Sequence, residues 1–339
     1  MAVSREYGVG NRGAHRVDLP LTEQARHPGS AHDEIEIVVL IPCYNEAATI
    51  ATVVSEFRQS LPKARIYVYD NNSIDDTATV AASAGATVRR EHRQGKGNVV
   101  RRMFSDIDAD VYLIVDGDAT YDASAAPAMV RELLSGPYDK VNGVRIHASQ
   151  QAYRPGHLIG NRLLTSLVSL FFGDQSRDML SGYKALSRRF VKTFPAVSAG
   201  FEIETELLIH ALELGVPMSE VETHYKERPA GSLSKLATYK DGFRILWVIF
   251  HLIRDLLPLP FFLSIAAVLA LIAIGFGTPV FLDYLSTGLV PRFPTLIAVS
   301  AAMILAFLSV FAGLILDSVA RGRKEAKLLA YLSYRSVRQ

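Results

Sequence analysis

Cysteine is nearly absent. Cys43 is the only one, so no disulfide can form within the chain and a zinc site built on cysteines is excluded. Net charge is scarce too: 36 basic and 34 acidic residues leave +2 at pH 7, which gives no bulk electrostatic footprint for nucleic acid. No strand-like run is followed by a GxGxxG or GxxxxGK[ST] turn, so the backbone cradles that hold bare phosphates on many open sheets are missing. The first 34 residues contain no long apolar run and no signal-peptide core; they read as a polar, disordered tail (1–34). There is no internal repeat and no low-complexity segment.

Long apolar runs, by contrast, are present near the other end. PLPFFLSIAAVLALIAIGFGTPVFL (258–282) and FPTLIAVSAAMILAFLSVFAGLIL (293–316) carry no charged residue. Each has the length of about twenty residues needed to cross a bilayer's hydrocarbon core. Lys240, Arg244 and Arg254 precede the first run, RGRKEAK (321–327) follows the second, and the connecting loop holds one Asp and one Arg. The positive-inside rule then places both termini and the large preceding domain on the cytoplasmic side of a plasma membrane. FRILWVIFHLIRDLL (243–257), with Arg244, His251, Arg254 and Asp255 among large apolar residues, reads as an interfacial amphipathic helix. A similar helix is expected around 163–172. The chain thus divides into a tail, a folded domain (35–235), an interfacial helix (236–257), a two-helix membrane domain (258–320) and a basic tail (321–339).

Within 35–147, strand and helix alternate strictly. IEIVVLIP (35–42), ARIYVYD (64–70), ATVRRE (86–91) and DVYLIV (110–115) read as strands. The segments between them have helical spacing, and one ends on Gly85, a natural C-cap. NGVRI (142–146) looks like a further strand. This is the pattern of an α/β fold with a parallel, doubly wound sheet. Three strand ends therefore share one edge: PCYNE (42–46), DNNSIDDT (70–77) and Asp116-Gly117-Asp118. Asp116 and Asp118, two apart at a strand end, allow two readings: a polar turn closing a core strand, or a site for Mg²⁺ or Mn²⁺ that bridges a carboxylate-rich crevice to phosphate.

The order strand-PxYNE, strand-DxxSxDxT, strand-DxD resembles the family-two glycosyltransferases of the GT-A fold. The resemblance covers roughly 35–228. It implies that Pro42, Tyr44, Glu46, Asp70 and Asn72 hold the nucleotide of a UDP- or GDP-sugar, and that Asp116 and Asp118 hold the metal. The chain departs from the pattern at Asn71, where a second aspartate is usual. SGYKAL (181–186) and ERPAGSLSK (227–235) further resemble dolichyl-phosphate mannose synthases and bacterial polyprenyl-phosphate glycosyltransferases, enzymes of cell-envelope glycan synthesis. The single tryptophan, Trp247, follows Leu246, so the QxxRW element of processive polysaccharide synthases is missing.

An alcohol acceptor needs a general base, whereas a lipid monophosphate is already largely ionised and needs positive charge to place it. By resemblance Arg145 and Arg162 form that clamp, with Arg228, Ser232 and Lys235 on the loop before the apolar runs. Glu204 and Asp178 are acidic candidates near the sugar and the acceptor. Lys96, before a helix whose N-terminus favours anions, is a candidate contact to the diphosphate. His224 is the best histidine for a supplementary metal ligand. The expected reaction is inverting transfer of one sugar to a polyprenyl (undecaprenyl-type) phosphate, with the bilayer and a second copy of the chain as further partners. Two alternatives stay open: transfer to a diacylglycerol-type hydroxyl, and a non-catalytic membrane-bound protein that only binds nucleotide sugar.

Overall fold

The computed structural model describes residues 35–147, 178, 181–200, 202–226, 250, 254–255 and 257–336. Seven strands form one sheet in the order β3-β2-β1-β4-β6-β5-β7. They are β1 (Ile37–Cys43), β2 (Arg65–Asp70), β3 (Thr87–Arg90), β4 (Val111–Ile114), β5 (Lys140–His147), β6 (Lys184–Ser187) and β7 (Met218–Tyr225). All run parallel except β6, which is antiparallel to both its neighbours. The sheet is thus mostly parallel, as the resemblance to the GT-A fold implies, and β6 is the reversed strand within it. It has only four residues and starts with the charged Lys184, so its pattern does not read as a core strand.

The strands are apolar on both faces because helices cover both. From β1, Val39, Ile41 and Cys43 join a core with α1 (Ile50–Ser60), α2 (Thr77–Ser83) and α4 (Ala126–Ser135). Val38 and Leu40 point the other way, into a core with α3 (Lys96–Asp106), α5 (Arg188–Thr193) and α6 (Ile203–Leu214). Leu40 is fully buried, and a Leu→Ala truncation at such a site costs about 2–5 kcal/mol. Helix α2 ends as its sequence predicts: Gly85 takes φ +90° and its N–H donates to the Ala82 carbonyl at 2.9 Å.

Two long helices follow, α7 (Pro258–Thr287) and α8 (Phe293–Ser333). Both are long and apolar enough to cross a membrane, with a mean hydropathy of 2.5 in their most apolar windows. They pack along each other closely enough that a Cβ on Gly313 would lie 3.0 Å from Phe262 Cβ. Large apolar side chains such as Leu271, Phe276, Phe307 and Phe311 point outward, as expected for helices solvated by lipid. The basic stretch expected to form a separate tail from 321 is instead the unbroken continuation of α8, helical to Ser333. Most of the expected interfacial helix, and the helix around 163–172, lie outside the described residues.

Candidate active site

The carboxyl ends of β1, β2 and β4 are laced into one unit by their own motif residues. Cys43 pairs with Asp70 in the β1–β2 register, and the Asn71 N–H donates to the Cys43 carbonyl at 2.9 Å. The Asn45 N–H donates to Ser73 Oγ at 2.9 Å, and Asn45 Oδ1 accepts from the Ile74 N–H at 2.9 Å. The Glu46 and Ala47 N–H groups donate to Thr77 Oγ1 (2.8 Å) and Asp75 Oδ2 (3.1 Å). Thr49 Oγ1 donates to the Gly117 carbonyl at 2.7 Å, which joins the first loop to the third. The spacing of Ser73, Asp75 and Thr77 is thus explained by backbone groups of 45–47 that would otherwise lack partners. Pro42 sits within β1, Tyr44 is half-buried beyond it, and Glu46 is buried at the approach to α1.

Asp70 is 1% exposed and accepts from the Ser73 N–H (3.1 Å) and Arg90 Nε (3.2 Å). The departure from the family pattern at Asn71 has a local cause. Its amide Nδ2 donates to the carbonyls of Glu91 and Arg93, both at 2.8 Å, while Oδ1 accepts from the Gly95 N–H at 2.7 Å. A carboxylate cannot donate, so an aspartate there would leave the Glu91 and Arg93 carbonyls without that donor. Asn72, held at φ +62°, likewise donates to the His92 carbonyl at 2.8 Å. Both asparagines pin the 91–95 loop onto the end of β2.

The two aspartates of the third loop lie in different surroundings. Asp118 is buried, and its Oδ1 accepts from Thr120 Oγ1 at 2.5 Å. The Asp116 side chain is 32% exposed and accepts from Lys96 Nζ at 2.6 Å. Lys96 also reaches Glu204 at 2.7 Å, and Glu204 pairs on its other side with the buried Lys184. The result is a row of alternating charge: Asp116, Lys96, Glu204, Lys184. Burial alone would raise Glu204, but Lys184 and Lys96 hold its carboxyl down to about 2. Burial pulls Lys96 down, and its two carboxylate partners more than offset that, so it stays charged. The N-terminus of α3 differs from expectation. The N–H groups of Gly97 and Asn98 donate to the Ala199 carbonyl at 2.9 and 3.3 Å, so that helix end is capped by protein, and the positive charge facing Asp116 there comes from the Lys96 side chain.

Arg145, on the carboxyl half of β5, makes a two-pronged ion pair with Asp178: Nε to Oδ2 at 2.6 Å and Nη2 to Oδ1 at 2.8 Å. Its guanidinium lies 5.4 Å from the centre of the Tyr225 ring. Tyr225 packs on Tyr121, which packs on Tyr183, and Tyr121 Oη accepts from the Gly182 N–H at 2.7 Å. The structure therefore brings together Asp116, Lys96 and Glu204 in one row, and Arg145 with Asp178 in a pair beside it. Arg162, Arg228, Ser232 and Lys235 lie outside the described residues. His224 is exposed on β7, and no group of three His, Cys, Asp or Glu is assembled for a metal among the described residues. Sequence reasoning missed Lys184, Gly182, Thr120 and Tyr121. Only the SGYK string hinted at the first two, and nothing in a single sequence says which lysine will be buried against which glutamate.

Residues 38–194 match the family described as Glycosyl transferase family 2. Glycosyltransferase AglJ of Haloferax volcanii is 35% identical over 254 residues, 73% of this chain and 81% of that protein. Protein RfbJ of Shigella flexneri is 55% identical over 127 residues, 37% of this chain and 98% of RfbJ. Among solved structures, M. tuberculosis glucosyl-3-phosphoglycerate synthase superposes with a TM-score of 0.54 at 22% identity, over 64% of this chain and 80% of that one. Its complex with Mn²⁺, uridine diphosphate and glucosyl-3-phosphoglycerate gives 0.52 at 23%, over 63% and 80%. At such identities these likenesses speak to the fold.

Proposed function

This chain belongs to glycosyl transferase family 2, and from that premise we propose that it moves a single sugar, with inversion, from a UDP- or GDP-sugar to a polyprenyl phosphate at the cytoplasmic face of a membrane. The observation that carries the acceptor class is the state of the two carboxylates that a hydroxyl acceptor would need as base. Glu204 is buried between Lys96 and Lys184, whose ammonium groups hold its carboxyl below the usual carboxylate range, and a carboxylate engaged on both sides in this way is a poor proton acceptor. Asp178 is engaged on both oxygens by Arg145. An acceptor that arrives already ionised needs neither. The two apolar helices that follow the domain suit an acceptor whose tail stays in lipid.

In this reading Pro42, Tyr44, Glu46 and Asp70 line the place of the nucleotide, with Asn72 holding the neighbouring loop. Asp116 and Asp118 offer only hard carboxylate oxygens, which suit Mg²⁺ or Mn²⁺. Asp116 and Asp118 would hold such an ion at the carboxyl edge of β4. The solved synthase was crystallised with Mn²⁺ and uridine diphosphate, which supports the same pairing here. Such an ion, when bound, would stabilise the charge that develops on the departing nucleoside diphosphate. Lys96 stands beside Asp116 to neutralise the same charge. Arg145, fixed by Asp178, presents its guanidinium at the same edge, and Arg162, Arg228, Ser232 and Lys235 are assigned with it to the acceptor phosphate. The phosphate oxygen attacks the anomeric carbon as the bond to the diphosphate breaks, so no proton has to be removed from the acceptor.

The test uses the purified full chain in detergent with Mn²⁺ or Mg²⁺, undecaprenyl phosphate, and a panel of UDP- and GDP-sugars, with the lipid read by mass spectrometry. One donor is expected to give a single-sugar adduct that disappears in Asp116→Asn and Asp118→Asn. Nucleotide release seen only with diacylglycerol would overturn the phosphate acceptor.

A further inference from the structure

The basic continuation of α8 docks on the folded domain through one well-defined joint. Tyr331 is 8% exposed and belongs to the core on the α3–α5–α6 face. Its Oη donates to Asp139 Oδ2 at 2.6 Å. Asp139, 1% exposed, also accepts from Ser187 Oγ (2.6 Å) and from Arg189 through Nε and Nη2, both at 2.6 Å. The Arg189 guanidinium lies 4.6 Å from the centre of the Tyr331 ring. One turn earlier, Lys327 pairs with Glu213 of α6 at 2.5 Å, and beyond the helix Arg188 lies 5.9 Å from the Tyr334 ring.

The place of this joint on the sheet matters. Asp139 immediately precedes β5, and Ser187 ends the antiparallel β6 opposite Val111, the first residue of β4. Both therefore lie on the amino edge of the parallel strands. Asp116 and Asp118 lie on the carboxyl edge. Residue 226, where the chain leaves the sheet toward the apolar helices, is also on the carboxyl edge, its N–H donating to the Thr120 carbonyl at 2.8 Å. The joint between α8 and the folded domain thus lies on the edge opposite the crevice. A domain tethered only by its chain is free to swing, and a packed joint with α8 limits that freedom.

We infer that the Tyr331–Asp139–Arg189 joint is a positioning device that makes α8 and the catalytic domain one rigid body, so that the crevice is held at a fixed height and tilt over the membrane. It touches no substrate, and whatever it does for the reaction acts through orientation. The inference rests on the proposed membrane-embedded acceptor for its activity readout only.

The experiment uses the full chain in nanodiscs. Spin labels replace Ile74, beside the crevice and 90% exposed, and Val319 on α8, 52% exposed. The one native thiol, Cys43, is buried and does not compete. Wild type is expected to give one narrow distance distribution, Tyr331→Ala a distribution at least twice as broad, and Tyr331→Phe, which keeps the ring over Arg189, an intermediate one. Cysteines at 213 and 327 joined by a short bis-maleimide should narrow it again. An unchanged width in Tyr331→Ala overturns the inference whatever the acceptor is. In the second readout Tyr331→Ala should lose at least tenfold in transfer to a long-chain acceptor in the bilayer, while transfer to a short, water-soluble prenyl phosphate and the affinity for UDP with Mn²⁺ stay within twofold. Equal losses on both acceptors would mean that the joint merely holds the fold. Wild type inactive on both would refute the acceptor class and leave the distance measurement to decide the joint.

Discussion

Gly182 has no room for a side chain, because a Cβ there would stand 2.3 Å from Asp116 Oδ2. The glycine of SGYK is therefore a condition for where the third-loop aspartate sits, and the two motifs, far apart in sequence, are one feature in space. Gly182→Ala is expected to shift the Asp116 carboxylate, weaken UDP–Mn²⁺ binding and activity at least about tenfold, and cost only about 1–3 kcal/mol in stability, the usual penalty for overpacking. Calorimetric titration and thermal melts on the same preparation would check both halves; unchanged nucleotide affinity would show that the carboxylate's place is unimportant. The glycines of QGKGN obey the same logic. Gly95 takes φ +125°, and a Cβ on Gly97 would lie 2.1 Å from the Ser198 carbonyl oxygen. That loop's backbone crosses the start of α3 so closely that it replaces any anion there. Single residues thus explain what the motif strings conceal: the lysine between these glycines is legible, but its partner Glu204, more than a hundred positions away, is not.

At the level of elements, the strand ends and their shared edge were legible because periodicity reports local structure faithfully where both faces of a strand are buried. The reversal at β6 was not legible, since four residues beginning with a lysine carry no direction. Nor was the docking of α8, which depends on Tyr331 meeting a buried aspartate on another element. The same α6–α8 region holds His210. It is 1% exposed, its Nε2 lies 3.2 Å from Thr193 Oγ1, and its Nδ1 has no hydrogen-bond partner among the described residues. Burial first, and then the Lys327 ammonium, push the imidazole down to about 3. A histidine depressed in this way is neutral in the folded state, so its contribution is complete above the unfolded pKa near 6.5 and is lost as pH falls from there toward 3. Stability is expected to decline from pH 6.5 downward by up to about 1.4 kcal/mol per pH unit from this group. His210→Leu should flatten the decline between pH 6.5 and 5, where carboxylates contribute little. Denaturant midpoints measured at half-unit intervals would show it; a variant curve parallel to wild type would assign the acid sensitivity elsewhere.

For the molecule as a whole, charge distribution carries more information than its small net value. Arg321, Arg323, Lys324 and Lys327 crowd the continuation of α8, while the turn between the two apolar helices offers only Arg292, whose Nε lies 3.6 Å from Asp283 Oδ2. In the proposed membrane arrangement, moving that basic cluster across a bilayer is far costlier than moving one paired arginine, so the cluster would set the orientation. In that arrangement α8 would leave the membrane on the same side as the folded domain, because Tyr331 and Lys327 are docked on it. The sequence argument and the docking joint are independent, and both are consistent with the proposed topology. The buried Cys43 permits a direct check by cysteine labelling. A cysteine at Leu289, 70% exposed between the helices, should react in intact cells with a maleimide that cannot cross membranes. A cysteine at Ile74, 90% exposed beside the crevice, should react only after permeabilisation. Labelling of both sites in intact cells would place the crevice outside the cell, away from the cytosolic pool of nucleotide sugars. Labelling of neither would mean that the turn does not cross, and the two apolar helices would then have to lie against the membrane rather than through it.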